Sequence, residues 1–253
     1  MKKLIAVCSV FLFAFPALAQ TKQAEPAAVK VPFAESLQAV FVRTPDWSAT
    51  AGTAQIFERS GPRDSWKAVG DQFSVVVGRN GLGWAIESAP EKATAFKKEG
   101  DGKAPAGMFL LTYAFGVSEK PEQLTFGYQK LERHTECVDD PASSHYNKIV
   151  DRMKVGNFDW KSSEKMLEVG AEYSLGVFVA YNTFPVRSGN GSCIFLHVWK
   201  DPATPTSGCT AMDRRDLERI VSRLNPAKNP YLVQLPAAEY KKYRKSWNLP
   251  KMK

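Results

Sequence analysis

The sequence is poor in the residues that ligate metals and close disulfides, with four cysteines and three histidines among 253 residues. No two cysteines stand in a Cys-x-x-Cys spacing, so an envelope thiol-redox protein would lack its working pair. Asp139 and Asp140 are adjacent, and neighbouring carboxylates in an extended chain point apart without the further ligands a cation needs; neither a metal nor another cofactor is expected. "GRNGLG" has neither the lysine nor the spacing of a phosphate-binding loop. No basic run is interleaved with stacking aromatics, so nucleic acid is not an expected partner. After the first 19 residues no apolar run approaches the length of a membrane span, and no internal repeat is present.

At the N-terminus, Lys2 and Lys3 precede an apolar core over residues 4–15 and a small-x-small signal at Ala17-Leu18-Ala19. This is the layout of a secretory signal peptide over residues 1–19, which sets the expected location as the periplasm or cell envelope. The apolar core continues past Cys8, which argues against a lipoprotein. Losing Lys2 and Lys3 lowers the formal charge of +8 by two, and the remaining excess describes a solvated basic surface. Residues 20–35 read as a flexible leader, short of large apolar groups, with order starting near Leu37. Residues 36–253 then form one domain, and nothing in the chain specifies its oligomeric state.

The domain is expected to be mainly β with a few helices, an α+β protein. "LQAVFVRT" and "TAQIFER" read as strands, and "SGPRDS" has the chemistry of a turn. "FSVVVGRNGLGWAIE" reads as a strand, a Gly-Asn-Gly turn and a second strand. A charged Gly-rich loop feeds the β run "MFLLTYAFG". Residues 131–158 show no clean period and are expected to form a long ordered loop with a little helix. "EYSLGVFVAYNT" and "SCIFLHVW" are rich in β-branched and aromatic residues, as central strands are. "DRRDLERIVSRLNP" predicts a helix capped by Asp213, with Leu217, Ile220, Val221 and Leu224 on one face and a stop at Asn225-Pro226. "YLVQLP" is a last strand, and Tyr240, Tyr243 and Trp247 fall at helical spacing as core packing of a C-terminal helix.

Beyond the signal peptide lie Cys137, Cys193 and Cys209, an odd number for an oxidising compartment. The preferred pair is Cys137 with Cys193, leaving Cys209 free; the alternative is three buried, reduced cysteines. Cys209 follows Gly208, which permits a tight turn, and precedes the predicted helix. The helix N-terminus would lower its thiol pKa, and the amides of Gly208 and Cys209 would converge on a carbonyl oxygen. His197, at the end of the "SCIFLHV" strand, is placed to act as general base or as the cation of an ion pair. From the residues alone, the choice stays open between this reading and a buried cysteine near a structural histidine.

Two stretches go further. "GDGKAPAGMFLLTYAFG" carries an Ala104-Pro105-Ala106-Gly107-Met108-Phe109 element, and "IFLHVWKDPATPTSGCTAM" sets a strand-end histidine a dozen residues before Ser-Gly-Cys. In this order they resemble the YkuD-type L,D-transpeptidase catalytic domain, over about residues 72–236. The resemblance implies a β-sandwich-like catalytic fold and a thioester intermediate formed on peptidoglycan stem peptides. Cys209 would be the nucleophile, His197 its base, and the backbone of Gly208 and Cys209 the oxyanion hole. Two positions depart from the pattern. Ser207, after Thr206, stands where the family carries a second histidine, and Ala211 stands where many members carry Arg or Asn. Thr206 and Ser207 remain substrate or supporting candidates, and His145, in "DPASSHYN", is a candidate for the missing imidazole against the alternative of a surface histidine without a role. The departures leave transfer and hydrolysis, as an L,D-carboxypeptidase, both open. They also admit a reading of another class, a catalytically silent envelope-binding module that keeps the fold and the cleft.

Overall fold

A computed structural model describes residues 33–252. The signal-peptide reading and residues 20–32 of the leader lie outside the described residues. The strands are β1 (Gln38–Thr44), β2 (Ala51–Glu58), β3 (Lys67–Val76), β4 (Leu82–Trp84), β5 (Ala104–Gly116), β6 (Tyr128–Lys130), β7 (Thr135–Val138), β8 (Ile149–Asp151), β9 (Ser163–Lys165), β10 (Leu175–Val179), β11 (Phe195–Val198), β12 (Thr210–Met212) and β13 (Tyr231–Pro236); the α-helices are α1 (Arg214–Val221) and α2 (Ala237–Tyr243). The fold is mainly β, of the α+β class.

The large sheet runs β10-β11-β12-β3-β2-β1-β13-β5, and β10 pairs again with β5, so the sheet closes on itself. β4 and β6 each add in parallel to β5. The unbroken apolar run of β1 follows from burial on both of its faces. Val40 and Val42 join Ile56, Phe109, Leu111, Leu196 and Met212 in one core, which Leu217 and Ile220 of α1 cover. Ala39 and Phe41 face a second core with Phe57, Val233 and Leu235, closed by Tyr240 of α2. Each large side chain so buried contributes about 1.5–3 kcal/mol.

A separate sheet, β8-β7-β9, stands beside the large one. It corrects the reading of residues 131–158 as a loop with some helix. Its strands are three or four residues long, too short to display a period, and they are held by side chains instead. Glu136 accepts hydrogen bonds from Trp160 Nε1 (2.8 Å) and Ser163 Oγ (2.6 Å) and pairs with Lys165 Nζ at 2.6 Å. Cys137 of β7 is bonded to Cys193, 56 residues on and just before β11.

Other expectations are corrected in detail. Residues 73–87 run strand, turn and strand, but the two strands do not pair with each other. β3 pairs with β2 and β12, whereas β4 joins β5, because Gly81 turns the chain under Trp47, where an added Cβ would lie 2.0 Å from the Trp47 carbonyl oxygen. Phe33–Glu35 form a short 3-10 turn with Phe33 buried against Trp66 and Tyr231, so the last three residues assigned to the leader belong to the fold. Asp213 caps α1 as expected, its Oδ1 accepting from Arg215 N at 2.9 Å. That helix ends at Val221, before Asn225-Pro226, and Asn225 caps a following 3-10 turn. Trp247 lies beyond α2 but stacks on Tyr243 at 4.8 Å between ring centroids. No described helix is long and apolar enough to cross a membrane.

Candidate active site

The register of β11 and β12 brings the cysteine and the histidine together. The two strands are parallel, with Leu196 beside Thr210 and His197 beside Ala211. One step back sets Cys209 beside Phe195, whose amide donates to the Cys209 sulfur at 3.3 Å. Because side chains alternate along a strand, Cys209, Ala211, Phe195 and His197 share one face. Strand spacing and rise then put the α-carbons of Cys209 and His197 about 8 Å apart on that face. Both side chains line a cleft of about 560 Å³ together with Thr206, Ser207, Gly208 and Ala211.

The turn before the cysteine is tightly specified. Thr206 Oγ1 donates to the Cys209 carbonyl at 2.6 Å and accepts from Gly208 N at 3.1 Å. A Cβ on Gly208 would stand 3.1 Å from the Lys103 carbonyl oxygen, immediately before the Ala104-Pro105 element. Behind the turn, Thr210 Oγ1 donates to Gln234 Oε1 (2.7 Å), and Gln234 Nε2 donates to the Pro105 carbonyl (2.9 Å). This buried chain ties the two sequence elements that carry the family resemblance to each other through β13. Of the two candidate oxyanion donors, the Gly208 amide is engaged by Thr206, and the Cys209 amide has no acceptor among the described residues.

His197 is 8% exposed, and its Nδ1 lies 2.7 Å from the Val198 carbonyl oxygen. A carbonyl only accepts, so Nδ1 carries the proton and Nε2 keeps its lone pair, the tautomer a base requires. Burial pushes the imidazole pKa below 6.5 against the opposing Val198 contact and Glu172, so the ring is neutral at pH 7. The thiol departs from expectation. Burial, followed by the charge of Glu164, pushes Cys209 up to about 12 against the Phe195 amide and Lys97. The helix end does not lower it, because β12 separates Cys209 from the cap at Asp213 by about 13 Å of extended chain. The resting pair is therefore neutral thiol and neutral imidazole, not an ion pair.

The remaining candidates divide. Ser207, in the place of the family's second histidine, accepts from Arg79 Nη1 at 3.0 Å. His145 does not line the cleft; its ring packs edge-on against Trp160 at 5.4 Å, so the structure does not bring it to the thiol. The Cys137–Cys193 bond is present, and Cys209 is free. Cys193 also lines the cleft, and its carbonyl accepts from the Cys209 thiol at 3.4 Å.

Sequence reading missed four cleft residues. Lys97 is 4% exposed, with Nζ on Asp101 Oδ1 (2.8 Å) and the Lys98 carbonyl (2.6 Å). Glu99 accepts from the hydroxyls of Tyr146 and Ser192. Tyr173 and Glu164 meet at 2.6 Å, Tyr173 Oη to Glu164 Oε2, and the Tyr173 ring packs 5.3 Å from that of His197. Burial raises Glu164 to about 7 against the Tyr173 hydrogen bond, with Asp139 and Glu99 adding to the rise. Asp139 Oδ1, also on the cleft wall, is buried without a hydrogen-bond partner among the described residues.

No curated protein and no solved structure matches the chain. The model of the YkuD family, the L,D-transpeptidase catalytic domain, matches residues 48–233, a range that takes in β2 to β12, and with them the cleft that β11 and β12 line. The chain belongs to the YkuD family of L,D-transpeptidase catalytic domains, whose function is directed at peptidoglycan.

Proposed function

We propose that this protein is an exported cysteine acyltransferase of the periplasm or cell envelope that acts on peptidoglycan stem peptides through a thioester on Cys209. The observation that carries the reading is the shared face of Cys209 and His197 at the wall of a substrate-sized cleft. His197 Nε2 takes the thiol proton as the sulfur attacks the carbonyl carbon that follows an L-configured centre. A C–S bond forms and the C–N bond breaks. The imidazolium returns the proton to the departing amine, and the Cys209 amide holds the oxyanion. With a thiol pKa of about 12, the proton moves during attack and not before it, so the neutral His197 is the indispensable partner.

An incoming amine completes transpeptidation, and water completes hydrolysis. Ala211 offers no polar side chain to hold an acceptor, so the cleft supports either outcome. Incubating the purified protein with disaccharide tetrapeptide, with and without added D-amino acid, and resolving products by mass spectrometry tests the reading. Exchange products mark transfer, a shortened stem marks hydrolysis, and both vanish in Cys209→Ala. The raised thiol pKa favours a second reading, a binding module with a silent site. Under it, neither product forms, and Cys209→Ala binds muropeptide as the wild type does.

A further inference from the structure

Tyr173 is the residue on which the buried groups of the cleft converge. It reaches the site from the short 3-10 turn at Gly170–Tyr173, ahead of β10. Its ring packs against Phe115, Phe195 and His197, which fixes where the hydroxyl can lie. That hydroxyl donates to Glu164 Oε2 at 2.6 Å, and it lies in the same buried cluster and cleft wall as Cys209, near enough for each group to shift the other's pKa. Ser207, in the place of the family's second histidine, is turned to Arg79. The Tyr173 hydroxyl is thus a side-chain donor held beside the sulfur.

We propose that Tyr173 is a catalytic residue whose hydroxyl donates to the Cys209 thiolate as it forms, and that Glu164, when protonated, is the positioning residue that turns the hydroxyl toward the sulfur. This rests on Cys209 being the nucleophile. A phenol has one proton to give. When Glu164 is ionised, that proton points at its carboxylate, and the sulfur is left facing a negative charge. When Glu164 is protonated, its own O–H donates to Tyr173 Oη, and the phenolic proton is released to the sulfur. The thiol proton goes to His197 Nε2 in either case, and neither Tyr173 nor Glu164 changes its proton count during attack. Glu164 is faced by Asp139, Glu99 and Tyr173, and Cys209 by Glu164, Lys97 and Tyr173; Glu172 faces His197.

The state with ionised sulfur and protonated Glu164 binds as many protons as the state with thiol and ionised Glu164. Its share of the population therefore stops rising once the pH passes the Glu164 pKa of about 7. Iodoacetamide alkylation of Cys209, followed site by site by mass spectrometry between pH 5 and 9, reads this directly and needs no substrate. In the wild type the rate should climb with pH and then flatten near 7. Glu164→Gln, whose amide donates to Tyr173 Oη at every pH, should remove the flattening, so that the rate keeps rising roughly tenfold per pH unit. Tyr173→Phe, which keeps the ring, should slow alkylation about 10- to 100-fold throughout, the size of a hydrogen bond to a charged group.

A flattening near pH 7 that survives in Glu164→Gln overturns the proposal, as does wild-type reactivity in Tyr173→Phe. If Tyr173→Phe fails to fold, the Glu164→Gln profile decides alone. Muropeptide turnover is scored separately. Absent turnover with the expected alkylation profiles refutes the enzymatic reading and leaves the thiol circuit standing, whereas turnover with unaltered profiles refutes the circuit only.

Discussion

Glu136 holds the small sheet that supplies Glu164 and Asp139 to the cleft. It is 2% exposed, and it collects Trp160 Nε1, Ser163 Oγ, Lys165 Nζ and Arg152 Nη1, the last at 3.3 Å. Burial pushes its carboxyl up, but the hydrogen bonds from Lys165, Ser163 and Trp160 together outweigh that and hold it at about 2, from an ordinary 4.5. A depressed folded-state pKa stabilises the protein above the unfolded value, and that stability is lost as the pH falls through the folded value. The depression is worth about 3 kcal/mol, at 1.36 kcal/mol per pH unit. Glu136→Gln keeps an acceptor for Trp160 and Ser163 but removes the charge, so at pH 7 it should be less stable than the wild type by about that amount. At pH 2, the folded-state value, the wild-type carboxyl is half protonated and only about 0.4 kcal/mol of the difference remains, so the gap should nearly close. Urea unfolding of both proteins at intervals from pH 2 to 7 measures the gap. A gap that is absent at pH 7, or that stays constant down to pH 2, refutes the assignment of Glu136 as the buried anion organising this sheet.

Three further outcomes follow from the site. Removing the disulfide with Cys137→Ser and Cys193→Ser frees a loop with a sequence separation of 56, which should lower the unfolding free energy by about 4 kcal/mol in denaturant titration and reduce turnover by loosening the cleft wall. Gly208→Ala places a Cβ 3.1 Å from the Lys103 carbonyl oxygen at φ +157°; a loss of about 1–3 kcal/mol of unfolding free energy with a marked fall in kcat is expected, and wild-type stability would contradict the tight turn. His197→Gln should cost at least ~100-fold in kcat. Wild-type activity should fall on an acid limb below pH 6.5, where the imidazole becomes charged, and a variant that keeps that limb would assign it elsewhere.

The parts of this molecule legible in sequence are those encoded by adjacent residues. β1, β13 and α1 are contiguous apolar patterns with local caps, and Asp213 caps its helix because capping depends on the neighbouring residues alone. Cys209 and His197 are readable as a pair because a single strand-loop-strand unit holds both. The β7-β8-β9 sheet is not readable, since its strands are too brief to show alternation and its order comes from Glu136 and a disulfide across 56 residues. Tyr173 falls in a stretch that reads as strand, and Glu164 carries no local signal; their place beside the thiol exists only in three dimensions. The helix-end explanation for a reactive thiol failed for a similar reason. Residues 210–212 are extended, so proximity in sequence to α1 is not proximity in space.

The most direct test of the central claim is to trap the acyl-enzyme. Mixing protein and tetrapeptide substrate, quenching in acid within seconds and mapping the adduct by tandem mass spectrometry should locate the acyl group on the Cys209 sulfur, with none in Cys209→Ser under the same conditions. An adduct on another residue, or product release from Cys209→Ala at the wild-type rate, would contradict the claim.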